Sequence, residues 1–107
     1  MESASVTDET SQRIRLLKTV INELNTALEV RTFESSPSGW ARIRNSLGAA
    51  YKDLGSQIGG DQGKEQLDLS IKAFEDALTV FKSDQFPDIS ARISQNLDEA
   101  RRLKNSL

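Results

Sequence analysis

The side chains of this chain that could do acid–base chemistry are three pairs of adjacent carboxylates. The pairs are Asp8–Glu9, Glu75–Asp76 and Asp98–Glu99. Neighbouring residues on a helix point about 100° apart, so the two carboxylates of a pair do not converge on one proton or one metal ion. We therefore interpret all three pairs as surface charge.

The stretch GGDQGK, residues 59–64, has one residue fewer between its glycines than a phosphate-binding loop, and Glu65 stands where that loop has serine or threonine. Asp61 lacks the further oxygen ligands that calcium requires. The chain contains no histidine and no cysteine, which removes imidazole and thiolate catalysis and almost every zinc site. We expect neither enzymatic activity nor a metal or other cofactor.

The composition is that of one folded domain. The chain has 107 residues, of which 36% are hydrophobic and 28% charged, with a net charge of −2. This charge gives no general affinity for nucleic acid. The first ten residues lack the basic start and apolar run of a signal peptide, and no apolar stretch approaches the ~20 residues that span a bilayer. We expect a cytoplasmic protein that does not enter a membrane.

The spacing of apolar residues predicts an all-α domain of four antiparallel helices. Ile14, Leu17, Ile21 and Leu24 recur at steps of three and four residues, as on one face of a helix. Pro37 fits the first turn of a second helix, and Gly59 and Gly60 end it. The predicted segments are a disordered tail at 1–6 and, within a single domain at 7–107, helices at about 7–33, 37–58, 64–82 and 87–105.

The chain also repeats itself at an offset of fifty residues. Between residues 17 and 50, eleven of thirty-four positions are identical to the residues fifty places later, with no gap. The identical positions are mostly apolar, and they include Pro37, whose counterpart is Pro87. A repeated pair of helices predicts a helical-hairpin solenoid.

The stretch WARIRNSLGAAYKDLG, residues 40–55, carries an apolar stripe. Trp40, Leu47 and Tyr51 lie within roughly 20° of one another on a helix, and this spacing favours core packing over ligand stacking. Gly48 lies beside the stripe and costs about 1 kcal/mol relative to alanine inside a helix. We expect a neighbouring helix to pass closely over Gly48.

These residues resemble a tetratricopeptide repeat. Leu47-Gly48-Ala49-Ala50-Tyr51, followed by Ala73, Phe74, Ala77 and Leu78, is similar to the helix–turn–helix unit of that family. The fifty-residue spacing is closer to the long bacterial variant and to kinesin-light-chain-like repeats. The resemblance implies a right-handed solenoid that binds a peptide or helix of a partner protein.

The resemblance further implies that the first helix of each unit lines the binding groove. The implied partner-binding residues are Arg42, Asn45, Ala49, Lys52, Asp53, Arg92, Gln95, Glu99 and Arg102. Residues 38–58 hold three basic residues and one acidic residue, whereas residues 61–86 hold three basic and six acidic. We expect a mildly basic groove that favours acidic peptides, although the same residues also fit a solvated polar face.

Two functions remain open from the sequence. The first is a small adaptor or assembly factor that binds a partner peptide or helix in the groove. The second is a structural or regulatory homo-oligomer, a dimeric helical bundle without an open groove. Leu16, Val20 and Val30 lie off the main stripe of the first helix, and their predicted exposure hints at self-association or at a partner helix.

Overall fold

The computed structural model describes the backbone of residues 2–107 and the side chains of residues 9–107, and this part of the chain contains helices and no strand. The four helices are α1 (Glu2–Val30), α2 (Pro37–Ile58), α3 (Gly60–Leu78) and α4 (Pro87–Ser106). Consecutive helices pack on one another, and α2 also contacts α4. The predicted all-α class with four helices in a hairpin arrangement is confirmed.

The bounds of α2 are those that the sequence predicts. Pro37 lies in its first turn, and Gly59 follows its last residue with a φ of 69°. Helix α1 differs from its prediction, because it begins at Glu2 instead of Thr7 and ends at Val30 instead of Phe33. No glycine or proline interrupts residues 2–10, so helix extends through most of the predicted tail, whose first residue lies outside the described part.

The start of α3 corrects the predicted loop at residues 59–63. Helix α3 begins at Gly60, so Gly59 alone separates it from α2. Gly59 and Gly60 both have positive φ, at 69° and 62°, a conformation that glycine adopts without steric cost. These two glycines reverse the direction of the chain between α2 and α3. Asp61 then lies in the first turn of α3, where its negative charge interacts favourably with the helix dipole.

The connections before α2 and α4 have the same local structure, fifty residues apart. The Ser36 and Phe86 amides donate to the carbonyl oxygens of Thr32 and Lys82, at 3.0 and 2.8 Å. Both segments show the same succession of bend and turn before a helix that opens with proline. The repeat seen in the sequence is therefore also a repeat of backbone conformation.

A pair of helix-to-helix contacts repeats in the same way. The Asn25 side chain of α1 donates to the Tyr51 hydroxyl of α2 at 3.4 Å. Fifty residues later, Arg101 of α4 donates to the carboxylate of Glu75 in α3 at 3.1 Å. Helix α4 thus lies on α3 with the register that α2 has on α1, while the chemistry of the contact has changed from neutral to charged.

The core lies between α2, α3 and α4. Phe74 and Leu67 of α3 are fully buried, and Ile93 of α4 is 1% exposed. Helix α1 is different, because none of its described side chains is buried and it contacts no helix other than α2 within residues 2–107. Ile14, Leu17, Ile21 and Leu24 are half-buried, so one stripe of α1 packs while the rest of its surface is open.

The close approach predicted at Gly48 is confirmed. A Cβ atom on Gly48 would lie 2.6 Å from two carbon atoms of the Phe74 ring, well inside van der Waals contact. The Ser70 hydroxyl, fully buried, donates to the Gly48 carbonyl oxygen at 2.7 Å. Near the hairpin turn, a Cβ atom on Gly63 would lie 2.6 Å from the Gly55 carbonyl oxygen. Glycine residues therefore allow α2 and α3 to approach closely at two points, at Gly48 and where Gly55 meets Gly63.

Gly48→Ala should lower the free energy of unfolding by about 1–3 kcal/mol, because the added methyl group overpacks against the immobile Phe74 ring. This loss runs against the ~1 kcal/mol that alanine gains over glycine in a helix. Urea unfolding followed by circular dichroism measures the change. Ser46→Ala, an exposed position on the same helix, serves as the control and should change stability by less than about 0.5 kcal/mol. A Gly48→Ala variant as stable as the wild type would contradict the tight crossing.

Candidate functional site

A recess of about 350 Å³ opens between α2 and α4 and is the strongest candidate site. Helix α2 contributes Arg42 and Asn45, and α4 contributes most of the remaining wall. The full lining is Arg42, Asn45, Phe81, Ile89, Arg92, Ile93 and Asn96. Three of the residues predicted from the sequence, Arg42, Asn45 and Arg92, thus lie together around one space.

The apolar part of the recess is held by the connection between α3 and α4. Phe81 is 3% exposed and packs edge-on against Phe86, with ring centroids 5.3 Å apart at 84°. Such edge-to-face pairs stabilise a fixed ring geometry. Pro87 then starts α4, and the first turns of this helix carry Ile89 and Ile93 into the recess. The result is an apolar floor of one aromatic and two branched side chains.

The charged part of the recess comes from two arginines that occupy the same place in the repeat. Arg42 and Arg92 are fifty residues apart, and both are exposed. No ion pair within the described side chains involves either guanidinium group, although other basic side chains of α2 and α4 are paired. Each group keeps its donors available for a carboxylate, which arginine can bind through two parallel hydrogen bonds.

Asn45 adds an unused hydrogen-bond acceptor to the same wall. Its Oδ1 atom is buried and has no hydrogen-bond partner among the described residues. A buried polar atom without a partner costs about 1–3 kcal/mol, so its occurrence in the wall of a recess calls for an explanation. Less than 1 Å² of Oδ1 is accessible, so a donor in the recess would reach it only after the Asn45 amide rotates toward that space.

The other predicted residues lie outside this recess. Lys52 of α2 forms an ion pair with Glu99 of α4, with Nζ and Oε1 2.9 Å apart, so the two charges hold the helices together. Asp53 lies about three turns further along α2 than Arg42, beside a second recess shared with α1. The exposed residues Ala49, Gln95 and Arg102 do not line the recess.

Sequence reasoning missed four residues of the lining, namely Phe81, Ile89, Ile93 and Asn96. Three of them belong to apolar stripes that the sequence assigns to helix packing, and they also face the recess. Asn96 corresponds to Ser46 in the first copy of the repeat, so comparison of the two copies did not mark this position as part of a site. The fifty-residue repeat pairs Arg42 with Arg92, but it does not identify the residues that lie between these two side chains in the folded structure.

The aromatic residues of the sequence stripe lie against protein, as the packing interpretation predicts. The Trp40 ring meets Phe33 edge-on, with centroids 5.2 Å apart at 81°, and Trp40 also packs against the core. Tyr51 is half-buried and accepts the hydrogen bond from Asn25. Neither ring lines the recess between α2 and α4.

No protein-family model, curated protein or solved structure matches this chain. Among the described residues, none of the helices combines the length and the apolar character that crossing a bilayer demands. The candidate site therefore rests on its own geometry and on the internal repeat.

The pKa of Glu99 provides a test of the link between α2 and α4. The hydrogen bond from Lys52 and then its positive charge hold the pKa of this carboxyl below its usual 4.5, and Arg102 contributes in the same direction. Because the folded state favours the charged form, the pair stabilises the fold above pH 4.5, and this contribution is lost as the pH falls through the lower pKa of the folded state.

We expect NMR titration of the Glu99 carboxyl carbon to give a midpoint below 4.5. Lys52→Met should raise that midpoint. Lys72→Met removes a lysine that pairs with Asp76 on α3, and it should leave the midpoint of Glu99 unchanged. A Glu99 midpoint that does not respond to Lys52→Met would show that the pair does not form in solution.

Proposed function

We propose that this protein is a protein-interaction module, a small adaptor or assembly factor that binds an acidic peptide segment of a partner in the recess between α2 and α4. The observation that carries this proposal is the pair of repeat-related arginines, Arg42 and Arg92, exposed on either side of an apolar floor. A binding role is proposed instead of catalysis because the chain has no histidine or cysteine.

Each part of the recess corresponds to one chemical feature of an extended acidic peptide. The two guanidinium groups suit aspartate or glutamate side chains or a terminal carboxylate. Rotation of the Asn45 amide toward the recess would present Oδ1 to a backbone N–H group of the peptide. The floor of Phe81, Ile89 and Ile93 suits one apolar side chain, and its volume of about 350 Å³ lies within the usual size range of binding pockets.

Charge distribution supports the preference for acidic partners. The whole chain carries a net charge of −2, yet Arg42 and Arg92 concentrate positive charge at the mouth of the recess. Lys52 adds little to this field because Glu99 lies 2.9 Å from its ammonium group. A local positive patch on an acidic protein steers acidic segments toward one place on the surface.

The assignment to the tetratricopeptide-like class is part of this proposal. It is supported by the internal repeat, by the matching hydrogen bonds of the two connections, and by the stacking of each helix mainly on its neighbours. We also propose a cytoplasmic location, which fits a chain without cysteine, because disulfides are characteristic of exported proteins.

Selection from a displayed random-peptide library, with the wild-type protein as bait, tests the proposal. Selected peptides should be enriched in aspartate and glutamate beside one apolar residue. Arg42→Glu and Arg92→Glu should each weaken binding of a selected peptide by at least about tenfold, because each replaces a cation that faces the ligand by an anion. Thermal stability should change little, since both side chains are exposed.

Arg102→Glu is the matched control, since it makes the same change of charge on α4 at an exposed position outside the recess. It should weaken peptide binding by less than about threefold through screened, long-range attraction alone. Equal losses for Arg92→Glu and Arg102→Glu would show that binding follows net charge and not the recess. Selected peptides without acidic enrichment would contradict the proposed specificity.

A further inference from the structure

Helix α1 carries a second surface with a regular pattern, beside the stripe that packs on α2. Glu9, Arg13, Leu16, Val20, Glu23, Ala27 and Val30 follow one another at alternating steps of four and three residues, which is the heptad spacing of a coiled-coil seam. All of them except the half-buried Ala27 are exposed, and Leu16 and Val30 are 65% and 79% exposed. We call these seven residues the α1 seam.

The repeat shows what covers the corresponding face of α3. The counterparts of Arg13, Val20 and Glu23 are Gly63, Ser70 and Ala73, and all three are buried. Gly63 approaches Gly55, and Ser70 donates its hydroxyl to Gly48, so α2 covers this face of α3. The α1 seam is therefore the face on which the repeat places a packed helix.

The side chains of the seam do not allow the close crossing that α2 makes on α3. Glycine, serine and alanine on α3 are replaced by arginine, valine and glutamate on α1. A helix docked on the seam must lie at a distance set by side chains, as in a coiled coil. This argues against a further copy of the α2 type and for a helix that carries its own heptad pattern.

We propose that a second copy of this chain occupies the seam, with α1 packed antiparallel on α1 of the partner about a twofold axis level with Lys18. In this register Leu16 of each copy lies opposite Val20 of the other, and Arg13 lies opposite Glu23. The two central layers are apolar, and the layers that flank them pair opposite charges. The seam is thus complementary to itself.

Other arrangements of two copies lack this complementarity. A parallel pairing sets Arg13 against Arg13 and Glu23 against Glu23 of the partner, which places like charges in the seam. A head-to-tail stack would set the seam on the free face of α4, where the counterparts of Gly48 and Gly55 are Asp98 and Asn105, both exposed. Only the twofold arrangement both matches the seam and closes the assembly at a dimer.

A recess next to the seam provides additional surface for the same contact. Leu16, Leu17 and Arg13 of α1 and Asp53, Ser56 and Gln57 of α2 line a space of about 330 Å³. None of these residues lines the recess between α2 and α4. Dimer formation through α1 would therefore leave both peptide recesses open, and its test is independent of peptide binding.

Sedimentation velocity over a range of protein concentrations tests the dimer. The wild type should pass from monomer to dimer, whereas a monomer at all concentrations up to about 1 mM would overturn the proposal. Val20→Asp should abolish association, because it places a charge in both central layers. Leu69→Asp changes a leucine on α3 that is 45% exposed and lies outside the seam, so it should leave association unchanged. An equal effect of both substitutions would overturn the assignment to α1.

Charge exchange tests the register and the orientation. Arg13→Glu alone and Glu23→Arg alone each create like-charge layers, and each should raise the dissociation constant at least about tenfold. An equimolar mixture of the two variants should associate again, because both flanking layers of the mixed dimer are complementary; this recovery also shows that both variants are folded. The double variant Arg13→Glu/Glu23→Arg should dimerise like the wild type. A double variant that stays monomeric, or single variants that dimerise normally, would overturn the antiparallel pairing.

Discussion

The packing of the Phe74 ring on the bare backbone of Gly48 fixes the spacing of the helices that form the core. Gly48 has no side chain, and a Cβ atom at this position would lie only 2.6 Å from the nearest carbon atoms of the Phe74 ring. The Ser70 hydroxyl uses the same approach to reach the Gly48 carbonyl oxygen. Because α2 and α3 are this close, α4 can contact both of them, and the recess that holds Arg42 and Arg92 lies where α2 and α4 meet. A wider crossing would separate the two arginines along with the helices.

The two copies of the repeat have kept a common backbone and diverged in their surfaces. The connections before α2 and α4 share their hydrogen bonds, and Asn25–Tyr51 and Glu75–Arg101 join their helices at equivalent places. The differences fall on faces that have different neighbours. Gly48 lies under another helix, whereas its counterpart Asp98 is exposed; Ser70 is buried, whereas its counterpart Val20 is 43% exposed. The features that the two copies share account for the architecture. The positions at which the copies differ include exposed residues that are free to contact other molecules.

Local signals in the sequence predicted most of the architecture but only part of the site. Pro37 and Gly59 act on their own backbone, so both ends of α2 followed from the residues alone. The prediction of a loop at residues 59–63 was wrong, because closely spaced glycines in a sequence look the same in a flexible loop and in a close helix crossing. Gly63 is a helical residue that packs against Gly55. Arg42, Asn45 and Arg92 were implied by the resemblance to tetratricopeptide repeats, and the recess includes them. The Lys52–Glu99 ion pair and the presence of Phe81 and Arg42 in one recess depend on distances between helices, which no local pattern contains.

Among the described helices, α1 packs on α2 alone, and this affects how the chain opens. In stacked helical repeats, stability is approximately a sum of the terms for each unit and for each interface between neighbours. In the monomer, helix α1 has one interface within the described residues, and its packed stripe is only half-buried, so we expect it to open at a lower free energy than the other three helices. Native-state hydrogen exchange would then divide the chain into an outer unit, α1, and an inner cooperative unit of α2, α3 and α4.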